Sequence, residues 1–330
     1  MDYILLAVAF GVILGGALIF TNAIEWTGNK LGVGEGATGS VLAAVGTAMP
    51  ETLIPIVAIV GGTKGSEDVA IGAIIGAPFL LATIAMALVG ISALIFSGRR
   101  EHGRRLDAHV ETLDRDLIFF LIFFAAGLVA GLVVPEALHI PLAVVFIVAY
   151  GVYVRQTLHG GGDVQEEESI GPLYMDRTEG DNPPGWIVAV QLVLGLAAIV
   201  GGAHLFVEEL LSVAEDIGIA PLVLSLVLAP LATELPEKMN SFFWVKDGKD
   251  SLALGNITGA MVFQSTIPIA VGLALTNWDL DRYAIVSGVL GLVGGIVAYW
   301  ALRLRGRFEA LPIAIWSALF TAFIVYVAVS

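Results

Sequence analysis

The sequence predicts an all-α polytopic membrane protein of ten transmembrane helices, arranged as two inverted five-helix repeats. Three observations predict it. Apolar runs long enough to cross a bilayer recur along the whole chain, basic residues concentrate in alternate connections, and the second half repeats the polar landmarks of the first.

Hydrophobic residues fill 57% of the 330 positions and charged residues 14%, with a mean hydropathy of +0.89. One soluble core cannot hide that much apolar surface, so lipid has to serve as solvent. The expected spans are 2–21, 36–62, 68–96, 116–134, 138–157, 186–210, 219–244, 251–275, 282–302 and 310–329. The first follows Met1 almost at once, without a basic stretch, and ends at Thr21-Asn22 rather than at a small-x-small site. It therefore reads as a retained span and not as a signal peptide.

Lys and Arg set the orientation. With the N-terminus outside, thirteen basic residues fall in inside connections: Lys30, Arg99, Arg100, Arg104, Arg105, Arg115, Arg155, Arg177, Lys246, Lys249, Arg303, Arg305 and Arg307. Only Lys64 and Arg282 fall outside, and Lys238 lies within a span. This positive-inside bias places both termini outside the cytoplasm of a cell membrane. The acidic connection 158–185, with Asp163, Glu166, Glu167, Glu168, Asp176, Glu179 and Asp181 against Arg177, is then a solvated cytoplasmic linker. It separates a first repeat, 1–157, from a second, 186–330.

The repeat is visible when the chain is compared with itself. A shift of 186 places Gly15-Gly16-Ala17 on Gly201-Gly202-Ala203, Phe20 on Phe206, Gly32 on Gly218 and Val41-Leu42-Ala43 on Val227-Leu228-Ala229. It also places Thr47 on Thr233 and Pro50-Glu51 on Pro236-Glu237. After a loop three residues shorter, Gly72 and Gly76-Ala77 fall on Gly255 and Gly259-Ala260. Small apolar matches are expected in any membrane protein, but a shared Thr-x-x-Pro-Glu is not. Because five spans separate the copies, they enter the membrane with opposite polarity, an arrangement that puts binding sites near mid-bilayer in secondary transporters.

Glu51 and Glu237 lie well inside spans two and seven, and Glu234 lies one turn before Glu237. An ionised Glu there costs at least a few kcal/mol unless a cation, proton or donor offsets it, so these residues mark a functional site. Pro50 and Pro236 cannot donate to the carbonyls of Gly46 and Ala232, which leaves backbone oxygen beside each carboxylate. Thr47 and Thr233, at i−4 from the glutamates, share their helix face. Such an all-oxygen set suits hard ions, Ca²⁺ above all and also Na⁺, rather than zinc or copper.

The glycine pairs Gly72/Gly76 and Gly255/Gly259 read first as close helix packing, which would bring Asn256, Thr258 and Gln264 toward the motif helix as further polar ligands. Their first-half counterparts, Ala73, Ile75 and Leu81, offer no side-chain oxygen. His204 reads as a satisfied packing residue. Lys238 either pairs with a carboxylate or snorkels, Asn240 and Ser241 extend the polar face of Glu237, and Glu208 and Glu209 face water. With no cysteine, no His-Glu-x-x-His and no Gly-x-Ser-x-Gly, the chain shows none of the marks of thiolate metal sites or of these hydrolases. It is not expected to be an enzyme.

Gly46-Thr47-Ala48-Met49-Pro50-Glu51 and Ala232-Thr233-Glu234-Leu235-Pro236-Glu237 resemble the Gly-Thr-Ser-x-Pro-Glu signatures of the two alpha repeats in the sodium/calcium exchanger family, of the calcium/cation antiporter superfamily. The resemblance covers nearly the whole chain and suggests a divergent prokaryotic-type member. It implies a secondary active antiporter that exchanges Ca²⁺ for Na⁺ by alternating access, the ions competing for sites around Glu51 and Glu237 with Thr47 and Thr233 supplying oxygen. Inorganic cations and the lipid bilayer are the partners implied; no nucleic acid, protein partner or resident cofactor is. Two departures stand out. Ala48 and Glu234 replace the signature serines, and Gly76-Ala77-Pro78-Phe79-Leu80-Leu81 and Gly259-Ala260-Met261-Val262-Phe263-Gln264 lack most of the polar residues of the family's Gly-Ser-Asn-x-x-Asn. Fewer oxygens and one added acid leave Ca²⁺/H⁺ exchange, or exchange of another divalent ion, open as the alternative; a cation channel is the weaker reading.

Overall fold

The computed structural model describes residues 1–30, 48–101, 103–106, 110–159, 171–176, 183–305 and 310–329. Among them the fold is built of α-helices: α1 (Asp2–Lys30), α2 (Met49–Gly61), α3 (Ser66–Leu80), α4 (Met86–Ile95), α5 (Val110–Val133), α6 (His139–His159), α7 (Gly185–Ile217), α8 (Pro221–Lys246), α9 (Asp250–Gln264), α10 (Ile267–Leu275), α11 (Arg282–Arg305) and α12 (Ala310–Val329). Among the described residues eight stretches are long and apolar enough to cross a membrane, counting α3–α4 and α9–α10 as one each, and Met49–Gly61 and Pro221–Leu235 are shorter apolar helices.

Helix ends depart from the expected spans for identifiable reasons. α1 continues to Lys30 rather than stopping at 21, because Thr21 and Asn22 end the apolar run without breaking the helix. α7 runs to Ile217, where Gly218 at φ 68° turns the chain with its N–H on the Ala214 and Glu215 carbonyls, and Pro221 opens α8 in the first turn. Gly62 at φ 61° ends α2 in the same manner, with its N–H on Ile59. Two spans are irregular in their interior. A π-helical turn, Leu81–Ala85, joins α3 to α4, and Ser265–Thr266 interrupt α9 and α10 just before Pro268, which has no N–H to continue the ladder.

Packing relies on small residues. α1 and α7 lie along one another, and a Cβ on Gly195 would stand 2.8 Å from the Phe20 backbone. α3 and α8 approach as closely: a Cβ on Gly72 would meet the Leu222 carbonyl oxygen at 2.5 Å, and one on Gly76 would stand 2.7 Å from the Leu226 carbonyl carbon. The packing expectation holds for this pair. Gly255 has open space and Gly259 meets only the Tyr153 hydroxyl at 3.9 Å; the first-half positions that would match Leu222 and Leu226, residues 36 and 40, lie outside the described residues.

Part of the connection 158–185 docks rather than floating in solvent. Leu173 packs with Trp26 and Val188, and the Trp26 indole donates to the Gly171 carbonyl at 2.9 Å. Asn22 and Gln191 join α1 to α7 beneath it at 2.9 Å. The acidic cluster from Asp163 to Glu168, with Arg177, Glu179 and Asp181, lies outside the described residues.

Candidate cation site

Three helices converge on one small cavity. α2 contributes Glu51 and Ile54, α3 Ala73 and Ala77, and α8 Ala229, Pro230 and Thr233 to its lining. Its depth follows from helix geometry. Glu51 lies ten residues from the end of α2 at Gly61, and Thr233 twelve from the start of α8 at Pro221. At 1.5 Å per residue these are about 15 and about 18 Å, roughly half of a hydrocarbon core of about 30 Å.

Glu51 is only 8% exposed. It occupies the first turn of α2, whose described helix begins at Met49, so Pro50 sits where a helix needs no N–H. The positive end of that helix favours the carboxylate by about 0.3–1 kcal/mol, short of the several kcal/mol that burial costs. A cation, proton or donor has to supply the rest. Pro55, inside α2, removes the helical donor to Glu51's own carbonyl, so one residue presents both carboxylate and backbone oxygen. The sequence reading passed over Pro55, although its spacing of four from Glu51 was the signal.

Thr233 faces the same cavity, buried, with its hydroxyl donating to the Ala229 carbonyl at 3.3 Å and its lone pairs left as acceptors. Thr47 lies outside the described residues, and Glu237 is described in its backbone alone, one turn beyond Thr233 on α8. Gln264 is buried at the end of α9, its side-chain oxygen without a hydrogen-bond donor among the described residues. Asn256 turns to α8 instead, donating to the Ser241 hydroxyl at 3.0 Å. Neither lines the cavity, nor does Glu234.

Glu234 is buried against Lys238, with 2.7 Å between its Oε2 and the ammonium. The pair is spaced i, i+4, the geometry in which helical side chains meet, so pairing rather than snorkelling describes Lys238. His204 is not a packing residue: its side chain is 62% exposed and lies 3.3 Å from Glu208. The buried face of α7 runs through Ala203, Phe206, Val207 and Leu210, which turns His204 outward.

A second buried polar cluster escaped the sequence reading. Asp116, taken there as a span end, is buried and accepts hydrogen bonds from Thr258 at 2.8 Å, Tyr153 at 3.0 Å and Arg115 at 3.2 Å. Thr258, offered as a cation ligand, is thus committed to Asp116. The signal was available: Asp116 shares a helix face with Leu113, Phe120 and Phe124, all buried.

A bundle of bilayer-crossing helices with a buried carboxylate and a hydroxyl from distant parts of the chain on one mid-membrane cavity is the architecture of a cation transporter. The sequence model described as sodium/calcium exchanger protein matches residues 1–157 and 187–330, and the chain belongs to that family. The sodium/calcium exchanger MaX1 of Methanosarcina acetivorans is 26% identical over 339 residues, spanning 86% of this chain and 94% of its own. Among solved structures, the H⁺/Ca²⁺ exchanger CAX superposes with a TM-score of 0.73 at 19% identity, covering 98% of this chain and 81% of that one. The sodium-calcium exchanger NCX_Mj, soaked with 10 mM Na⁺ and zero Ca²⁺, gives 0.58 at 20% identity and covers 99% of both chains. The chain shares their fold, and its family makes it a membrane cation antiporter.

Proposed function

We propose that this antiporter exchanges Ca²⁺ for Na⁺ by alternating access, with the cations bound between Glu51 and Glu237 and ligated further by Thr47 and Thr233. The observation that carries the reading is the cavity in which Glu51 of α2 faces Thr233 of α8 at mid-membrane depth. An inverted repeat of five spans, 1–157 and 186–330, gives Glu51 and Glu237, and likewise Thr47 and Thr233, equivalent places on opposite halves. The interior irregularities support that symmetry: the π turn at 81–85 and the break before Pro268 coincide under the same shift of 183 that aligns Gly72 with Gly255. In this reading both termini are extracytoplasmic, ten spans cross the cell membrane, and the connection 158–185 lies in the cytoplasm.

The walls of the cavity favour a second reading for the coupling ion. Ala73, Ala77 and Ala229 supply no side-chain oxygen, so few ions are held together and H⁺ is the alternative to Na⁺. Reconstituted protein separates the two: Ca²⁺ uptake is measured with only a Na⁺ gradient imposed, then with only a pH gradient. Uptake driven by Na⁺ alone supports the first reading, uptake driven by pH alone the second, and uptake driven by neither overturns both.

A further inference from the structure

We infer that residues 171–176, the docked part of the connection 158–185, form a strap at the membrane interface. One face of the strap is clasped by α1 and α7. The other, carrying Tyr174 and Met175, rests on phospholipid at the boundary between headgroups and hydrocarbon.

The clasp is made of side chains from both helices closing on the backbone of the strap. Leu173, 3% exposed, is seated against Trp26 and Val188. On either side of it the Trp26 indole donates to the Gly171 carbonyl at 2.9 Å and the Asn22 amide to the Pro172 carbonyl at 3.4 Å. The Tyr174 N–H donates to Asn22 Oδ1 at 3.2 Å and the Met175 N–H to Gln191 Oε1 at 2.9 Å. The Asp176 N–H then closes a turn on the Leu173 carbonyl at 2.9 Å. A solvated loop can leave such groups to water, whereas irregular backbone at the edge of hydrocarbon has to find its partners inside the protein. Asn22 and Gln191 are themselves buried, and the Gln191 amide donates to Asn22 Oδ1 and to the Ile19 carbonyl.

Helix length sets the level of the clasp. Toward the other ends of the same two helices, Ser212 of α7 donates to Asp2 of α1 at 2.7 Å. Asn22 lies twenty residues from Asp2, and Gln191 twenty-one from Ser212. At 1.5 Å per residue these are about 30 and about 32 Å, the thickness of a hydrocarbon core of about 30 Å. The two polar ties therefore bracket the hydrocarbon, and the strap lies along one of its boundaries. Its outward side chains suit that level: Tyr174 is 59% and Met175 44% exposed. On α7, Trp186, Val190, Val193 and Leu194 share one helix face and are all exposed, which makes that face the lipid-facing one. Met175, bonded to Gln191 beside Val190, carries this apolar surface onto the strap. Tyr and Trp are the side chains that settle at headgroup level.

A lipid that labels its neighbours tests the contact in the unaltered protein. Wild-type protein is reconstituted in phosphatidylcholine vesicles containing phosphatidylcholine with a diazirine near the top of one acyl chain, irradiated, and the adducts are mapped by mass spectrometry. Adducts are expected on Tyr174 and Met175 at a yield comparable to that at 190–194. Gln191→Leu, which removes the acceptor of the Met175 N–H, should lower the yield on the strap severalfold and leave that at 190–194 unchanged. Adducts at 190–194 with none on Tyr174 or Met175 overturn the inference. Hydroxyl-radical oxidation of the same two side chains then names what covers them instead: fast oxidation means water, slow oxidation a protein surface such as a second copy of the chain. A folded Gln191→Leu protein with undiminished strap adducts overturns the clasp. If that variant fails to fold, the wild-type map still decides.

Discussion

Replacing Gly76 by alanine should loosen the contact between α3 and α8 beside the cation cavity. A Cβ at this position would stand on the Leu226 carbonyl, 2.7 Å from its carbon and 2.8 Å from its Cα. Carbon atoms in ordinary contact sit about 3.5–4.0 Å apart, so the helices must separate by about 1 Å. The obstacle is backbone, which cannot rotate away as a side-chain tip would. Overpacking of this kind costs about 1–3 kcal/mol, outweighing the roughly 0.5–1 kcal/mol that alanine gains over glycine inside a helix. Ala77, the next residue, lines the cavity, so Ca²⁺ uptake should fall along with stability. Gly201→Ala is the matched control: its Cβ would meet nothing within 4 Å, and the variant should be as stable as the parent or slightly more so. Thermal unfolding in detergent, together with uptake by reconstituted protein, checks both. A Gly76→Ala protein that unfolds at the parental temperature and transports at the parental rate would refute the close-packing argument.

Two further outcomes follow from the buried polar groups. Arg100 pairs with Asp250 and also donates to the Gly103 and Arg105 carbonyls, tying the connection after α4 to the start of α9. Arg100→Met should cost about 3–5 kcal/mol by removing the counter-charge of a buried carboxylate, with most of it recovered when Asp250→Leu is added; unfolding midpoints of the single and double variants measure this. Thr258→Val removes a 2.8 Å hydrogen bond to Asp116 and should cost about 1.5–3 kcal/mol, as expected for a bond to a charged group. The same unfolding assay should show less than additive loss with Tyr153→Phe, because both hydroxyls serve one carboxylate.

Element types were easier to read from the sequence than faces. Length and hydropathy locate the helices, since crossing a bilayer demands apolar runs, but lipid and protein core are almost equally apolar. The side of α7 that packs therefore leaves little trace in its sequence, and His204 was turned inward when it faces out. Polar residues at span ends misled in the same way: α1 runs nine residues beyond the expected end at 21, and Asp116, at the expected start of a span, is buried. At the site, the repeated Thr-x-x-Pro-Glu drew attention to Glu51 and Thr233, which do share a cavity. The close packing expected at Gly255 and Gly259 points Asn256 and Thr258 toward the site, yet their partners are Ser241 and Asp116, contacts that no self-comparison reveals. The Glu234–Lys238 pair was within reach, because i, i+4 spacing is local, whereas its depth in the bundle needed the fold.

The central claim is that Glu51 carries the transported cation. Its most direct test is Ca²⁺ uptake into proteoliposomes against an imposed Na⁺ gradient, wild type beside Glu51→Gln. The substitution keeps the size of the side chain and removes the charge that a cation must cancel. The account predicts gradient-driven uptake by the wild type and its loss in Glu51→Gln, with the variant still folded by thermal unfolding. Undiminished uptake by Glu51→Gln would contradict it.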